Sequence, residues 1–315
     1  MKKLLNTLYV TTEGASLRKD GENLVAEIEG AERARVPFHM LASVVVIGAT
    51  YISPVLIGAL ARGGVTLVLL DRQGRFEARV EGPVSGNVLL RRAQYRAAEQ
   101  PDDIVRGVVS AKVANQRAVL MRALRDYAEE LVPERRASIE TAVERLGRIL
   151  QRVAFANEGA DVMRGAEGEA ANVYFAVFGN LIRSPDADIC FRGRSRHPPL
   201  DPVNALLSFL YTLLTHDCRS AAEGVGLDPA VGFLHRERPG RPSLALDLME
   251  ELRPVLSDAG RKTVLTAWQE RKKEERKHPF LDETAPLGLV PHLQAQLLAR
   301  HLRGDLDAYP PWFWK

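Results

Sequence analysis

The feature that most constrains this chain is a change of pattern near Gly86. Before it come short runs of β-branched and apolar residues separated by turn signals. After it come long stretches with helical spacing. Thr7-Leu8-Tyr9-Val10-Thr11 and Ser16-Leu17-Arg18 are strand-like, Asn23 to Ile28 alternates, and Asp20-Gly21 before it is a hairpin signal. Ser43 to Ile47 is rich in β-branched residues and reads as a strand buried on both faces. Ser53-Pro54 opens a helix, with Pro54 suited to its first turn, and Ala61-Arg62-Gly63-Gly64 ends it. Thr66 to Leu70 and Arg75 to Val80 return as strands. Helical patterns then run over 88–98, 103–128, 134–153, 161–182, 202–222 and 264–277. Pro185, Pro198-Pro199 and Pro239-Gly240 break them. The expected fold is α+β: a β-rich domain over 1–85, then an all-α domain over 86–315.

Composition excludes more than it selects. A formal net charge of +3 is too small to decide for or against nucleic acid, so the distribution of charge must. Two cysteines, Cys190 and Cys218, are too few for a disulfide scaffold and too far apart for a thiol metal motif; they fit a reducing cytoplasm. Asn6 and Thr7 interrupt the apolar run after Met1-Lys2-Lys3, so no signal peptide is expected. The uncharged stretch Ser43 to Ala61 contains Gly48, Thr50, Ser53 and Pro54, and reads as strand, turn, helix rather than a membrane span. No phosphate-binding loop, dinucleotide fingerprint, zinc-finger spacing or serine elbow is present.

The residues that carry chemistry lie in the second half. Glu167 borders an apolar helix face formed by Ala166, Ala170, Val173, Tyr174 and Val177, among small neighbours that allow a bulky backbone to approach. A solvated glutamate is the plain alternative. Asp247 and Glu250 are three apart, hence on one helix face that Ser243 can cap, and their repulsion is relieved either by a shared cation or by neighbouring arginines. His235 stands before a proline-containing loop leading into that helix. A histidine beside an acid pair, with a further acid on another helix, is a candidate site for a hard divalent ion such as Mg²⁺ or Mn²⁺. Arg194 and Arg196 alternate in a Gly/Pro loop, and Arg238 and Arg241 adjoin His235; all four suit a phosphate backbone, with a solvated basic loop as the alternative. The basic run from Arg261 to Lys277 is interleaved with glutamates and reads as a solvated face.

These residues sit in a pattern that resembles a known family. Lys3 to Val10, Gly86 to Tyr95, Gly165-Ala166-Glu167-Gly168, Pro199 to Ser208, Gly232 to Asp247 and Leu302 to Pro311 together resemble the CRISPR-associated spacer-acquisition endonuclease and integrase family (Cas-one), in a type I-C-like form. The resemblance covers essentially the whole chain. It implies that Glu167, His235, Asp247 and Glu250 are catalytic and hold Mg²⁺ or Mn²⁺. Glu167, His235 and Asp247 would be direct ligands, and Glu250 a ligand or the holder of a metal-bound water. It also implies a homodimer, double-stranded DNA as partner, a small ferredoxin-like CRISPR-associated protein (Cas-two) in a heterohexamer, and association with an end-processing CRISPR nuclease. The β-rich domain is expected to be the dimer platform, since it lacks a ligand set and Val44 to Ile47 and Thr66 to Leu70 are apolar enough for a shared core. One departure stands out: relatives carry a longer segment after the Asp247 helix, whereas Arg253 to Gly260 leads here almost at once into Arg261. The expected activity is metal-dependent transesterification that inserts short DNA into a repeat array. The alternatives are a metal-dependent structure-specific DNA hydrolase and a catalytically idle DNA-binding subunit.

Overall fold

The structure is a computed structural model that describes residues 6–72, 76–80, 82, 88–127, 129–155, 159–182, 189–195, 198–253, 274–281 and 284–314. Arg196 and the basic run up to Lys273 lie outside those residues. The chain divides into two compact units, Met1–Ser85 and Gly86–Lys315.

The first unit holds two four-stranded sheets. In one, β1 (Asn6–Val10) and β7 (Thr66–Leu70) flank β5 (Leu41–Ile47) in parallel, and β8 (Phe76–Val80) adds to β7 antiparallel. The other runs β4 (Ala31–Pro37), β3 (Asn23–Ile28), β2 (Ser16–Asp20), β6 (Tyr51–Ile52). The two-residue turn at Gly21-Glu22 joins β2 to β3, with Asp20 opposite Asn23 and Gly21 at φ 55°. Val44, Val45, Val46 and Ile47 are all buried, so β5 is covered on both faces as its unbroken apolar run requires. Helix α1 (Pro54–Arg62) begins where Ser53 Oγ accepts from the Leu56 amide at 3.3 Å. Its Leu56 and Leu60 pack with Leu17, Leu24, Val44 and Leu67.

Among the described residues, the second unit is helical apart from one short hairpin. Its helices are α2 (Val88–Glu99), α3 (Asp102–Tyr127), α4 (Pro133–Phe155), α5 (Ala160–Phe178), α6 (Pro202–Gly224), α7 (Ser243–Glu250) and α8 (Val290–Leu302). Asp201 caps α6 by accepting from the Asn204 amide at 2.7 Å, with Pro202 in the first turn. One core runs through all of these helices, including Val105, Leu120, Leu146, Ala170, Leu214, Leu244 and Leu298. Two expectations are corrected. Glu275–Lys277, expected at the end of the helical pattern over 264–277, is strand β9 and pairs with β10 (Thr284–Pro286). Helix α8 was not anticipated. No described helix is long and apolar enough to cross a membrane.

Candidate active site

Two helices and one loop bring the candidate residues together. Glu167 lies on α5, where Ala166, Ala170, Val173, Tyr174 and Val177 bury the adjoining face. Asp247 and Glu250 lie on α7, each about 1 % exposed. His235 lies within the loop between α6 and α7, with its side chain 19 % exposed. Gln94 on α2 holds the start of that loop, donating to the carbonyls of Asp228 (2.8 Å) and Val231 (2.7 Å) and accepting from the Asp228 amide (2.9 Å). Arg164, one turn before Glu167, donates to the carbonyls of Leu234 (2.6 Å) and Phe233 (3.1 Å), tying the loop to α5. Ser243 does not cap α7. It is the first residue of the helix, fully buried, and Pro242 precedes it as the cap.

Asp247 is saturated. Its Oδ2 accepts from the amides of Phe233 (2.6 Å) and Leu234 (3.0 Å), and its Oδ1 from the His235 amide (2.9 Å) and His235 Nδ1 (2.7 Å). A carboxylate has about four acceptor sites, and all are taken. Because a carboxylate only accepts, the imidazole proton sits on Nδ1 and the lone pair on Nε2. Such close approach of loop to helix requires Gly232: a Cβ there would lie 2.8 Å from Ser243 and 2.9 Å from Asp247 Oδ2.

Glu167 and Glu250 share a cation that the sequence reading missed. The ammonium of Lys112, on α3, contacts Glu167 Oε1 and lies 2.7 Å from Glu250 Oε2; its side chain is 5 % exposed. Arg253 Nη1 lies 2.6 Å from Glu250 Oε1, and His235 Nε2 lies 3.7 Å from the same oxygen. Burial alone would raise the Glu250 carboxyl, but the Arg253 guanidinium and the Lys112 ammonium outweigh it and hold it well below the ordinary value. Among the described residues, no three His, Cys, Asp or Glu side chains surround one point closely enough to hold a metal ion. The donor chemistry nonetheless fits a divalent ion: carboxylates from two helices already converge on one buried positive charge, which here is an ammonium.

The next residue, Glu251, faces away into the core. Burial pushes it up to about 7, against the pull of the Tyr309 hydroxyl, the Trp312 amide and the Gln294 side chain, all of which donate to it. Asn115 on α3 donates to the carbonyls of Glu251 (2.7 Å) and Trp312 (3.0 Å).

Of the four candidate phosphate-binding arginines, the three among the described residues, Arg194, Arg238 and Arg241, are placed differently. Arg194 is half-buried: it donates to Asn204 Oδ1 (2.7 Å) and the Ser195 carbonyl (2.5 Å), and packs 5.4 Å from the Tyr211 ring centre. Its head is engaged in holding the loop to α6. Arg238 is exposed and Arg241 partly so. An open recess of about 590 Å³ adjoins His235, lined in part by Tyr95, Arg164, Phe233 and Arg236.

A profile of the family described as CRISPR associated protein Cas1 matches residues 8–282. The chain is 66% identical to the CRISPR-associated endonuclease Cas1 2 of Rhodospirillum rubrum, with all of both chains covered. That alignment spans 344 positions, 29 more than the 315 residues here, so the relative carries additional residues. The fold resembles a casposase bound to integration product (TM-score 0.80, 20% identity, 99% of this chain and 95% of the other). It also resembles a chain of a Cas6-RT-Cas1–Cas2 complex (TM-score 0.75, 18% identity), of which this chain, covered completely, spans 36%.

Proposed function

The chain belongs to the Cas1 family of CRISPR-associated proteins, the endonucleases and integrases of CRISPR adaptation, and from that premise we propose that it joins the 3′-hydroxyl ends of short DNA duplexes to phosphodiesters at the edge of a repeat array. The observation that carries this reading is the buried positive charge shared by Glu167 and Glu250, with His235 Nε2 alongside. Two carboxylates and one imidazole suit Mg²⁺ or Mn²⁺, and Glu167, His235 and Glu250 would hold the ion directly. Bound there, the ion would supply Lewis-acid polarisation of the scissile phosphate and a lowered pKa for the attacking hydroxyl. Asp247 then acts one bond back. It fixes the His235 ring and keeps its proton on Nδ1, the usual part of a carboxylate behind a ligating histidine.

In the reaction the 3′ oxygen forms a new bond to phosphorus. The bond to the target strand's 3′ oxygen breaks, and that oxygen leaves and takes up a proton. Arg253 and Lys112 offset phosphate charge, while Arg238 and Arg241 hold the backbone. Gly165 and Gly168 border open space, so a DNA strand meets no side chain on that part of α5. The proposed partners are double-stranded DNA, a second copy of the chain through the β-rich unit, the small ferredoxin-like Cas2 protein in a heterohexamer, and an end-processing CRISPR nuclease. Cas2 stands beside Cas1 in the complex described above, which supports that part. The proposed compartment is the cytoplasm.

The test is strand transfer with Mn²⁺, Cas2, a supercoiled repeat-bearing target and a duplex labelled at its 3′ end. Label joined to the target is expected, and its loss in Glu167→Gln and His235→Ala variants that remain folded. Cut target without joined label would favour the hydrolase. DNA binding with neither product would favour an idle structural subunit.

A further inference from the structure

Lys112 occupies the place that the proposed ion needs. Its ammonium contacts both Glu167 and Glu250, the two carboxylates best placed as ligands. It is not a surface lysine resting there: the residue is 4 % exposed and its helix runs through the core. Nor are the carboxylates short of positive charge. Glu167 and Glu250 face Lys112 and Arg253, so these four side chains sum to zero, while the charge of Asp247 is met by three backbone amides and the His235 N–H. A divalent ion entering this neutral set brings two positive charges beside a buried ammonium. Inside a protein such like-charge proximity is costly unless one charge moves or a negative one arrives.

The surroundings say which. Beside Lys112 is a cavity of about 20 Å³, lined also by Arg194, Arg253, Gln116, Tyr174 and Tyr211. Its charged lining is entirely cationic, so the displaced ammonium gains nothing by withdrawing into it without an anion. A DNA phosphate supplies that anion. Resting on the metal reading above, we infer that Lys112 is a tethered cation that competes with the divalent ion for Glu167 and Glu250, and that phosphodiester binding draws it off. Metal and DNA therefore bind cooperatively, and by linkage each tightens the other by the same factor. The free protein holds its ion weakly, and the site assembles fully only on DNA.

The experiment is a titration of the full-length protein with Mn²⁺, followed by the electron paramagnetic resonance of the free ion, with and without a short duplex ending in a 3′-hydroxyl. An opposite charge a few ångströms away commonly shifts a carboxylate's affinity for a proton by one to three decades, and the effect on a metal is of that order. For the parent, the duplex should tighten Mn²⁺ binding about tenfold or more. Lys112→Met should bind Mn²⁺ about tenfold more tightly than the parent without DNA, and gain less from the duplex. Lys112→Arg, which keeps a charge, should stay near the parent. Affinity in Lys112→Met no tighter than the parent overturns the inference. Glu167→Gln separates the two readings. If it loses Mn²⁺ while Lys112→Met gains nothing, the metal site stands and the tethered cation falls. If Glu167→Gln binds Mn²⁺ like the parent, both fall. Should Lys112→Met not fold, a crystal structure of the parent soaked in Mn²⁺ decides: Nζ still on both carboxylates with the ion bound overturns the proposal, and Nζ moved off them supports it.

Discussion

Replacing Asp247 by Asn tests the site at its most constrained point. The change keeps shape and removes one acceptor atom. In the parent, two donors reach each carboxylate oxygen. If the new amide faces the Phe233 and Leu234 amides, two buried N–H groups meet an N–H₂. If it faces His235, the ring can respond by moving its proton to Nε2, but the His235 amide is still opposed by a donor. One or two buried donors are therefore left unpaired in either orientation. At about 1–3 kcal/mol each, the expected loss is about 1–6 kcal/mol, a large share of the few to fifteen that a folded protein has. The second orientation, with only one amide orphaned, is the cheaper, and it puts a proton on the nitrogen that should ligate. Mn²⁺ affinity should then fall roughly 10–100-fold, the range seen when a partner behind a ligating histidine is removed. The assay is ¹⁵N NMR of histidine-labelled, metal-free protein, with the His235 signals assigned through His235→Ala and stability followed by urea unfolding. The parent should show the Nδ1–H tautomer and Asp247→Asn the Nε2–H form. A variant that keeps Nδ1–H, with unfolding midpoint and Mn²⁺ affinity unchanged, would refute the positioning role.

Two other outcomes follow from the charges. Replacing Arg238 and Arg241 by Ala should flatten the dependence of log DNA affinity on log salt by about 1.8, at about 0.9 per phosphate contact; a slope within error of the parent would make them solvated side chains only. Arg194→Ala should instead lower stability by loosening the loop from Asn204, and a change in salt slope without loss of stability would contradict its placement. The Glu250 carboxyl lies lower in the folded chain than its ordinary 4.5, so its pairing stabilises fully above that pH and is lost as pH falls toward the folded value. Urea unfolding from pH 7 downward should show this acid loss, and the double variant Lys112→Met with Glu250→Leu should show less of it; identical acid profiles would argue against the buried pair.

Much of the fold was legible because its signals are local. Ser53-Pro54, Asp201-Pro202 and Asp20-Gly21 act within a few residues, and the structure places a helix start, a helix start and a hairpin there. The motifs single out Glu167, His235, Asp247 and Glu250, and the structure brings these four together, but their partners were not legible. Asp247 was expected to ligate directly; its donors are mostly backbone amides, which leave no mark in a sequence beyond Gly232. Lys112 sits in Val108-Val109-Ser110-Ala111-Lys112-Val113, where a lone charge on a helix reads as solvent-facing, and only α5 and α7 closing over it bury it. Arg194 looked free in an alternating basic loop because its acceptors, Asn204 and the Tyr211 ring, come from another element. Glu275–Lys277 was expected at the end of a helical pattern, and a strand pairing across a gap in sequence overrode it. Helix α8 was legible and overlooked: Pro291 stands in its first turn, and Leu293, Leu297 and Leu298 repeat at helical spacing.

The site also shows how a small set of helices holds reactive groups still. Residues three apart on a helix lie on one face, and three such pairs meet here. On α5, Glu167 contacts the Lys112 ammonium and Arg164 clamps the His235 loop. On α3, Lys112 reaches the acids and Asn115 clamps the carbonyls of Glu251 and Trp312. At the end of α7, Glu250 reaches the cations and Arg253 is one of them. In the first two pairs, one member acts and the other fixes the neighbouring segment to the same face. A change at a clamp therefore moves the reactive partner without unfolding the helix that bears both. Since misplacement by about 1 Å can cost a hundredfold in rate, Arg164→Ala and Asn115→Ala are each expected to slow strand transfer in the labelled-duplex assay while the protein stays folded, and an unchanged rate in both would refute the clamping role.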